Sequence, residues 1–192
     1  AGSDSIDYSV PIVIGNALED KLLDIGRHAT EAKLRKVVEH EIAIDYGKNA
    51  VDKALQLYPL SIFSDYATRL FPQDWTPAYW AARVMFGDRD FTCAMRRTVR
   101  QWRKHGGTAF WFSWTQPQVF HQATLEALRN SSDEKDAMPY GGSCYPCPGA
   151  GHGADLDFLF DNPSKVDVRG KLVQGNKLTD RLQAFYVNFA WA

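Results

Sequence analysis

Two short runs of apolar, strand-forming residues decide what this chain can fold into: Val10-Pro-Ile-Val-Ile-Gly15 and Thr108-Ala-Phe-Trp-Phe-Ser-Trp114. Neither alternates polar with apolar residues, as a strand with one wet face would, so each reads as a strand buried on both faces. The first ends at a glycine, and the second is opened by Gly106-Gly107 and closed before Pro117. The stretch between them reads as helices. Thr30 can cap a helix whose Leu34, Val37, Val38 and Ile42 recur at helical spacing. Val51 and Leu55 mark a second helix, ended by Tyr58-Pro59, and residues 61–70, 77–86 and 89–105 mark three more. Two buried strands separated by helices call for a parallel sheet with helices on both faces, an α/β architecture. Two strands leave the edges and faces of such a sheet open. Residues 1–192 are therefore expected to be the C-terminal portion of a larger single α/β domain, completed by an upstream segment or chain.

Beyond the second strand, residues 118–129 read as weakly helical, residues 130–136 as polar and exposed, and residues 138–153 as a loop. Leu178, Leu182, Phe185 and Phe189 then form one apolar stripe, the mark of a C-terminal amphipathic helix. A hydrophobic content of 45% in 192 residues is enough for a real core. The six Trp suit either that core or an aromatic-lined pocket. With 22 basic and 23 acidic side chains the net charge is −1, which gives no general attraction for nucleic acid or an anionic membrane. Arg96, Arg97, Arg100, Arg103 and Lys104 read most simply as a solvated helix face. No stretch approaches the roughly 20 apolar residues of a membrane span, and the N-terminus lacks a basic-then-apolar signal pattern. Asn130-Ser-Ser is an N-glycosylation acceptor sequence, which points to a secreted or extracellular glycoprotein.

Two places can carry chemistry. Gly15-Asn-Ala-Leu-Glu-Asp20 sets two carboxylates just after the first strand, and Gly151-His-Gly153 sets a histidine in the loop region after the second. The flanking glycines leave the imidazole open to close approach, as a general base requires. Taken alone, such a histidine is more often an inert loop residue, and either carboxylate can instead cap the helix that follows. In open α/β sheets, however, function gathers beyond the carboxyl ends of the strands. An acid there can fix the tautomer of a histidine and stabilise its imidazolium. No Gly-x-Ser-x-Gly occurs in the chain. The order acid, then histidine, matches the α/β-hydrolase order Ser, acid, His, with the serine upstream of Ala1.

At this point a resemblance becomes specific. Val10 to Asp20, Phe86-Gly-Asp-Arg-Asp-Phe-Thr-Cys93, Gly106 to Trp114, Gly151-His-Gly-Ala-Asp-Leu-Asp-Phe-Leu-Phe160 and Phe185-Tyr-Val-Asn-Phe-Ala190 lie in one order and spacing. In both respects they resemble the C-terminal part of the type-B carboxylesterases, the family that includes cholinesterases and related lipases. The resemblance implies an α/β-hydrolase fold and a serine carboxylic ester hydrolase acting on a small-molecule or lipid ester. His152 matches the family's catalytic base and Asp20 its acid; the family usually has Glu there, and the adjacent Glu19 is the alternative partner. The nucleophilic serine would sit on the N-terminal portion of the same hydrolase, and neither a metal nor an organic cofactor is required. Asp155 where Glu is common, and Tyr186-Val where the family has Trp, are departures.

Cys93 matches a family cysteine whose usual partner lies beyond this C-terminus, so a buried free thiol is expected. Cys144 and Cys147 read best as a local disulfide stiffening the loop of His152, ahead of a redox pair or a zinc knuckle whose fourth position is Asp157. Trp75, Tyr79 and Trp80 are candidates to line an acyl or alcohol pocket, whereas Trp111 and Trp114, alternating with Phe110 and Phe112, read as core. His28 and His40 read as solvated, and His105 and His121 carry no assigned role. A second reading is a relative that has lost its nucleophile and serves adhesion or partner binding. A third is a small helical protein that folds and acts alone.

Overall fold

The computed structural model describes residues 6–18, 25–26, 28–70, 75–115, 120–121, 150, 154–160, 165–166 and 176–191. Ile12–Ala17 forms β1 and Ala109–Trp114 forms β2, and the two pair in parallel from Ile12 against Ala109 to Ala17 against Trp114. The Leu18 amide extends the ladder by donating to the Trp114 carbonyl at 2.9 Å. β1 starts and ends two residues later than the sequence suggests. Pro11 has no N–H to give a ladder, and Gly15 does not end the strand. The Phe112 ring lies across Gly15, where any Cβ would collide with it.

Between the strands, α1 (Glu31–Tyr46) starts at Thr30, whose hydroxyl accepts from the Lys33 amide at 3.2 Å. It buries Leu34, Val38 and Ile42, three of the four residues the periodicity selects. Gly47 ends it with φ 78°, a conformation that favours glycine. The reversal lets α2 (Lys48–Leu57) fold back onto α1. α3 (Leu60–Leu70) packs on α4 (Pro77–Gly87). The Thr76 hydroxyl accepts from the Tyr79 amide at 3.3 Å and donates to the Ala29 carbonyl at 2.7 Å, so it caps α4 and ties it to the entry of α1. α4 is buried on nearly every side, as befits a helix that is apolar all round. Ile25, Leu34, Val38, Val51, Phe63, Trp80 and Phe86 are the heart of this helical core.

α4 does not stop at Gly87. A π-helical turn, Asp88–Thr92, in which the Cys93 amide donates to the Asp88 carbonyl, carries it into α5 (Cys93–Lys104). The π turn and α5 lie against the β1/β2 pair. On the sheet face carrying Phe110 and Phe112, rings of the C-terminal helix meet it: Phe189 packs edge-on to Phe110 at 6.1 Å and Tyr186 edge-on to Phe112 at 6.3 Å. The expected mixed helix-and-strand arrangement with a parallel sheet is therefore present as a two-stranded pair among the described residues.

Three expectations change. The strands are not buried throughout: Ile12 to Gly15 are half-buried, and Phe110 and Trp111 are 46% and 39% exposed. Each strand has only one neighbour among the described residues, so much of the pair stays uncovered. Second, within the segment read as weakly helical, Phe120–His121 is a short strand, β3, antiparallel to β4 (Lys165–Val166). Cross-strand pairing there overrides a weak local preference. Third, the C-terminal stripe does form on a helix, Asn176–Trp191, yet Phe185 stays 40% exposed while Thr179 is buried. With α6 (Leu156–Leu159) before it, this helix is α7. No helix among the described residues is long and apolar enough to cross a membrane.

Candidate functional site

Parallel pairing sets the carboxyl ends of β1 and β2 side by side. There Ala17, Trp114, Ala150, Ala154 and Phe158 form a small buried cluster, with Leu18, Phe112 and Leu182 packed against it. The Trp114 ring meets Phe158 at 5.1 Å, and the Gln183 side chain donates to the Leu159 carbonyl at 2.9 Å, tying α7 to α6. Ala17 and Leu18 lead directly into positions 19 and 20; Ala150 and Ala154 bracket position 152. Asp20, Glu19 and His152 themselves lie outside the described residues, as do Asn130, Cys144 and Cys147. What the structure brings together is thus the chain flanking each candidate group. Trp114 also holds a buried indole N–H with no hydrogen-bond partner among the described residues, a donor at this edge of the sheet.

The end of β1 is held by a residue the sequence reading passed over. Asn16 is buried; its amide donates to the Thr92 hydroxyl at 3.0 Å and to the Ala17 carbonyl at 2.8 Å, and its carbonyl accepts from the Trp111 indole at 3.1 Å. One side chain thereby joins β1, β2 and the π turn. A lone polar residue at the end of an apolar run was the available signal, because burying an amide is tolerated only when it is bonded.

A second polar group lies on the far side of the π turn. Arg89 pairs with Asp90 and, at 3.4 Å, with Glu41, and sits over the Phe86 ring at 4.8 Å. Tyr58 donates to Asp88 at 2.8 Å, and burial, then that bond to a carboxylate, pushes its phenol well above the ordinary tyrosine range. Burial also raises the Tyr186 phenol, and the charge of Asp155 adds to it.

Other candidates fall elsewhere. Cys93 is a free thiol but exposed, contrary to the expected burial, because it opens α5, a helix with no buried residue. Tyr79 and Trp80 are buried in the helical core, ring against ring at 5.3 Å, with Trp75 4.6 Å from Tyr79. Trp114 is core as expected, whereas Trp111 is part-exposed. His28 and His40 are exposed; His105 is exposed and stacks on Tyr8 at 4.3 Å, and His121 belongs to β3. Among the described residues, no three His, Cys, Asp or Glu are placed to hold a metal ion. No family model matches this chain, and comparison with curated proteins and with solved structures found no match. The likeness to type-B carboxylesterases rests on the residues alone.

Proposed function

We propose that this chain is the C-terminal portion of an α/β hydrolase and supplies the general base, His152, and the acid, Asp20, of a Ser-His-acid triad that hydrolyses carboxylic esters. The supporting observation is the cluster at the carboxyl edge of the parallel pair, in which residues flanking both positions, Ala17 and Leu18 on one side and Ala150 and Ala154 on the other, pack around Trp114. Two residues of extended chain span at most about 7 Å. Positions 20 and 152 are each only two residues from that cluster, on the side of a parallel sheet where sites of this type are built.

In this reading a serine outside residues 1–192 attacks the ester carbonyl while His152 takes its proton. The same proton then passes to the leaving alcohol as the acyl–serine bond forms and the ester C–O bond breaks. Water, deprotonated in turn by His152, cleaves the acyl–serine ester and releases the acid. Asp20 holds the imidazole in the required tautomer. Backbone amides elsewhere in the protein stabilise the oxyanion.

Treating the intact protein with an organophosphate ester and locating the label by mass spectrometry tests this. A labelled serine is expected, and labelling should vanish in His152→Ala. That variant should also lose ester turnover on the order of 10⁴-fold while melting like the parent. Absence of any labelled serine, or near-parental turnover in His152→Ala, overturns the proposal. Comparing Asp20→Asn with Glu19→Gln assigns the acid: the larger loss of turnover marks the partner.

A further inference from the structure

α5 carries the strongest local charge among the described helices. Arg96, Arg97, Arg100, Arg103 and Lys104 are all exposed, and the helix contains no acidic residue. Their spacings of one, three and four place them on one face, along about 12 Å of helix. Met95, Val99 and Trp102, on the opposite face, are the half-buried ones. Elsewhere Arg35 pairs with Asp52 at 2.9 Å, and Arg89 with Glu41 and Asp90. On α5, among the described residues, Arg103 reaches only the Ala109 carbonyl, at 3.3 Å, and Arg96 only the Trp111 ring, at 5.9 Å. Arg97, Arg100 and Lys104 have no ion-pair partner among the described residues. Like charges three and four residues apart repel along a helix. This face therefore holds uncompensated repulsion that an anionic partner would relieve.

Exposed apolar side chains lie near both ends of the helix. Trp111, 39% exposed, lies beneath Arg96. At the other end Tyr8 packs edge-on against Trp102 at 4.9 Å, the Trp102 indole donates to the Val10 carbonyl at 3.0 Å, and Val10 and Ile6 are 54% and 60% exposed. A soluble polyanion would use the cations and leave these side chains in water. A surface that is anionic at its face and apolar beneath uses both.

We propose that the outer face of α5, with the exposed Ile6, Val10 and Trp111 near the helix ends, docks on an anionic lipid surface. A net charge near zero does not oppose this, because screening limits attraction to charges within about 10 Å of the surface at ordinary salt, and the stripe is what lies there. The proposal does not depend on ester hydrolysis, since binding is read without turnover.

The test is co-sedimentation of the full protein with phosphatidylcholine vesicles, with or without phosphatidylserine. Binding is expected only with phosphatidylserine, and should be lost at about 1 M KCl, where the screening length falls to about 3 Å. Each cation near such a surface is worth about fivefold in affinity, so Arg97→Gln with Arg100→Gln should bind about 25-fold more weakly. Arg97→Lys with Arg100→Lys should bind like the parent, and both variants should melt like it, because all four changes are on the solvent face. Equal binding to both vesicles, or undiminished binding by the glutamine variant, overturns the proposal. So does binding to polyglutamate or heparin without binding to vesicles, which would assign the stripe to a soluble polyanion.

Discussion

The helical region and the sheet edge of this molecule bury their apolar residues in different ways. The helical core is drawn mostly from one continuous stretch, from Ile25 to Phe86, and completes itself: Trp80, Phe86, Ile25 and Val38 have no accessible surface. The sheet-edge cluster joins positions as distant as Ala17, Trp114, Ala150 and Phe158, and is small. On the sheet and at the ends of α6 and α7, Phe110, Phe160 and Trp191 remain 46%, 73% and 86% exposed. Stability should therefore reside mainly in the helices, and the candidate chemistry in the region that is packed least. Loops beyond strand ends commonly carry function on a scaffold made rigid elsewhere.

The largest expected effect tests that division directly. Trp80→Ala empties a fully buried aromatic site and should cost about 3–5 kcal/mol in urea unfolding. Phe110→Ala, at a part-exposed position that meets only the edge of the Phe189 ring among the described rings, should cost less, about 1 kcal/mol. Comparable losses would erase the distinction between the regions. Next in size is Gly15→Ala, whose added methyl meets the Phe112 ring and should cost about 1–3 kcal/mol by overpacking. In a Phe112→Ala background the same change should cost much less, a coupling measurable by a double-mutant cycle.

These contrasts also explain what the sequence made legible. α1 to α4 follow from apolar spacing because each helix meets neighbours close in sequence, and the Thr30 cap is a local contact between a hydroxyl and the Lys33 amide. The parallel pairing of the strands was legible from their apolar, strand-forming composition. Their limits were not, because Gly15 is a seat for the distant Phe112 ring, a fact with no trace in residues 10–15. The π turn was missed for a similar reason. Its anchors, Thr92 to Asn16 and Asp88 to Tyr58, are long-range, and nothing in Asp88–Thr92 alone distinguishes it from ordinary helix. Cys93 was expected inside because the motif, not its helix face, was read. The cations of α5 are exposed, as their reading as a solvated helix face requires. At the candidate site, the residues flanking positions 20 and 152 pack in one cluster at the edge that the rule for parallel sheets singles out, while Asn16, which holds β1 to its neighbours, has no such rule to mark it.

Asn16 links the two regions, so its removal should be felt between them. Asn16→Ala leaves the Trp111 indole and the Thr92 hydroxyl without this partner, and should cost about 1–2 kcal/mol. Hydrogen exchange should rise in β1 and the π turn but not in α1 or α4. Uniform loss of protection would mean that the sheet and the helices unfold as one unit and that the comparison above is only one of packing.

The smallest effect concerns the other anchor of the π turn. Tyr58 donates to Asp88, so Tyr58→Phe should cost about 1 kcal/mol near neutral pH. Its pH dependence carries the sharper information. The phenol ionises at a higher pH folded than unfolded, because burial and the neighbouring carboxylate both oppose the phenolate. Above the ordinary tyrosine value of about 10, the unfolded chain has lost a proton that the folded chain retains. The contribution of Tyr58 is therefore complete below about pH 10 and declines as the pH rises further. The parent should lose stability more steeply than Tyr58→Phe in that window, with the two curves converging as the pH rises. Parallel curves across the alkaline range would place the phenol in solvent and detach the π turn from the helical core.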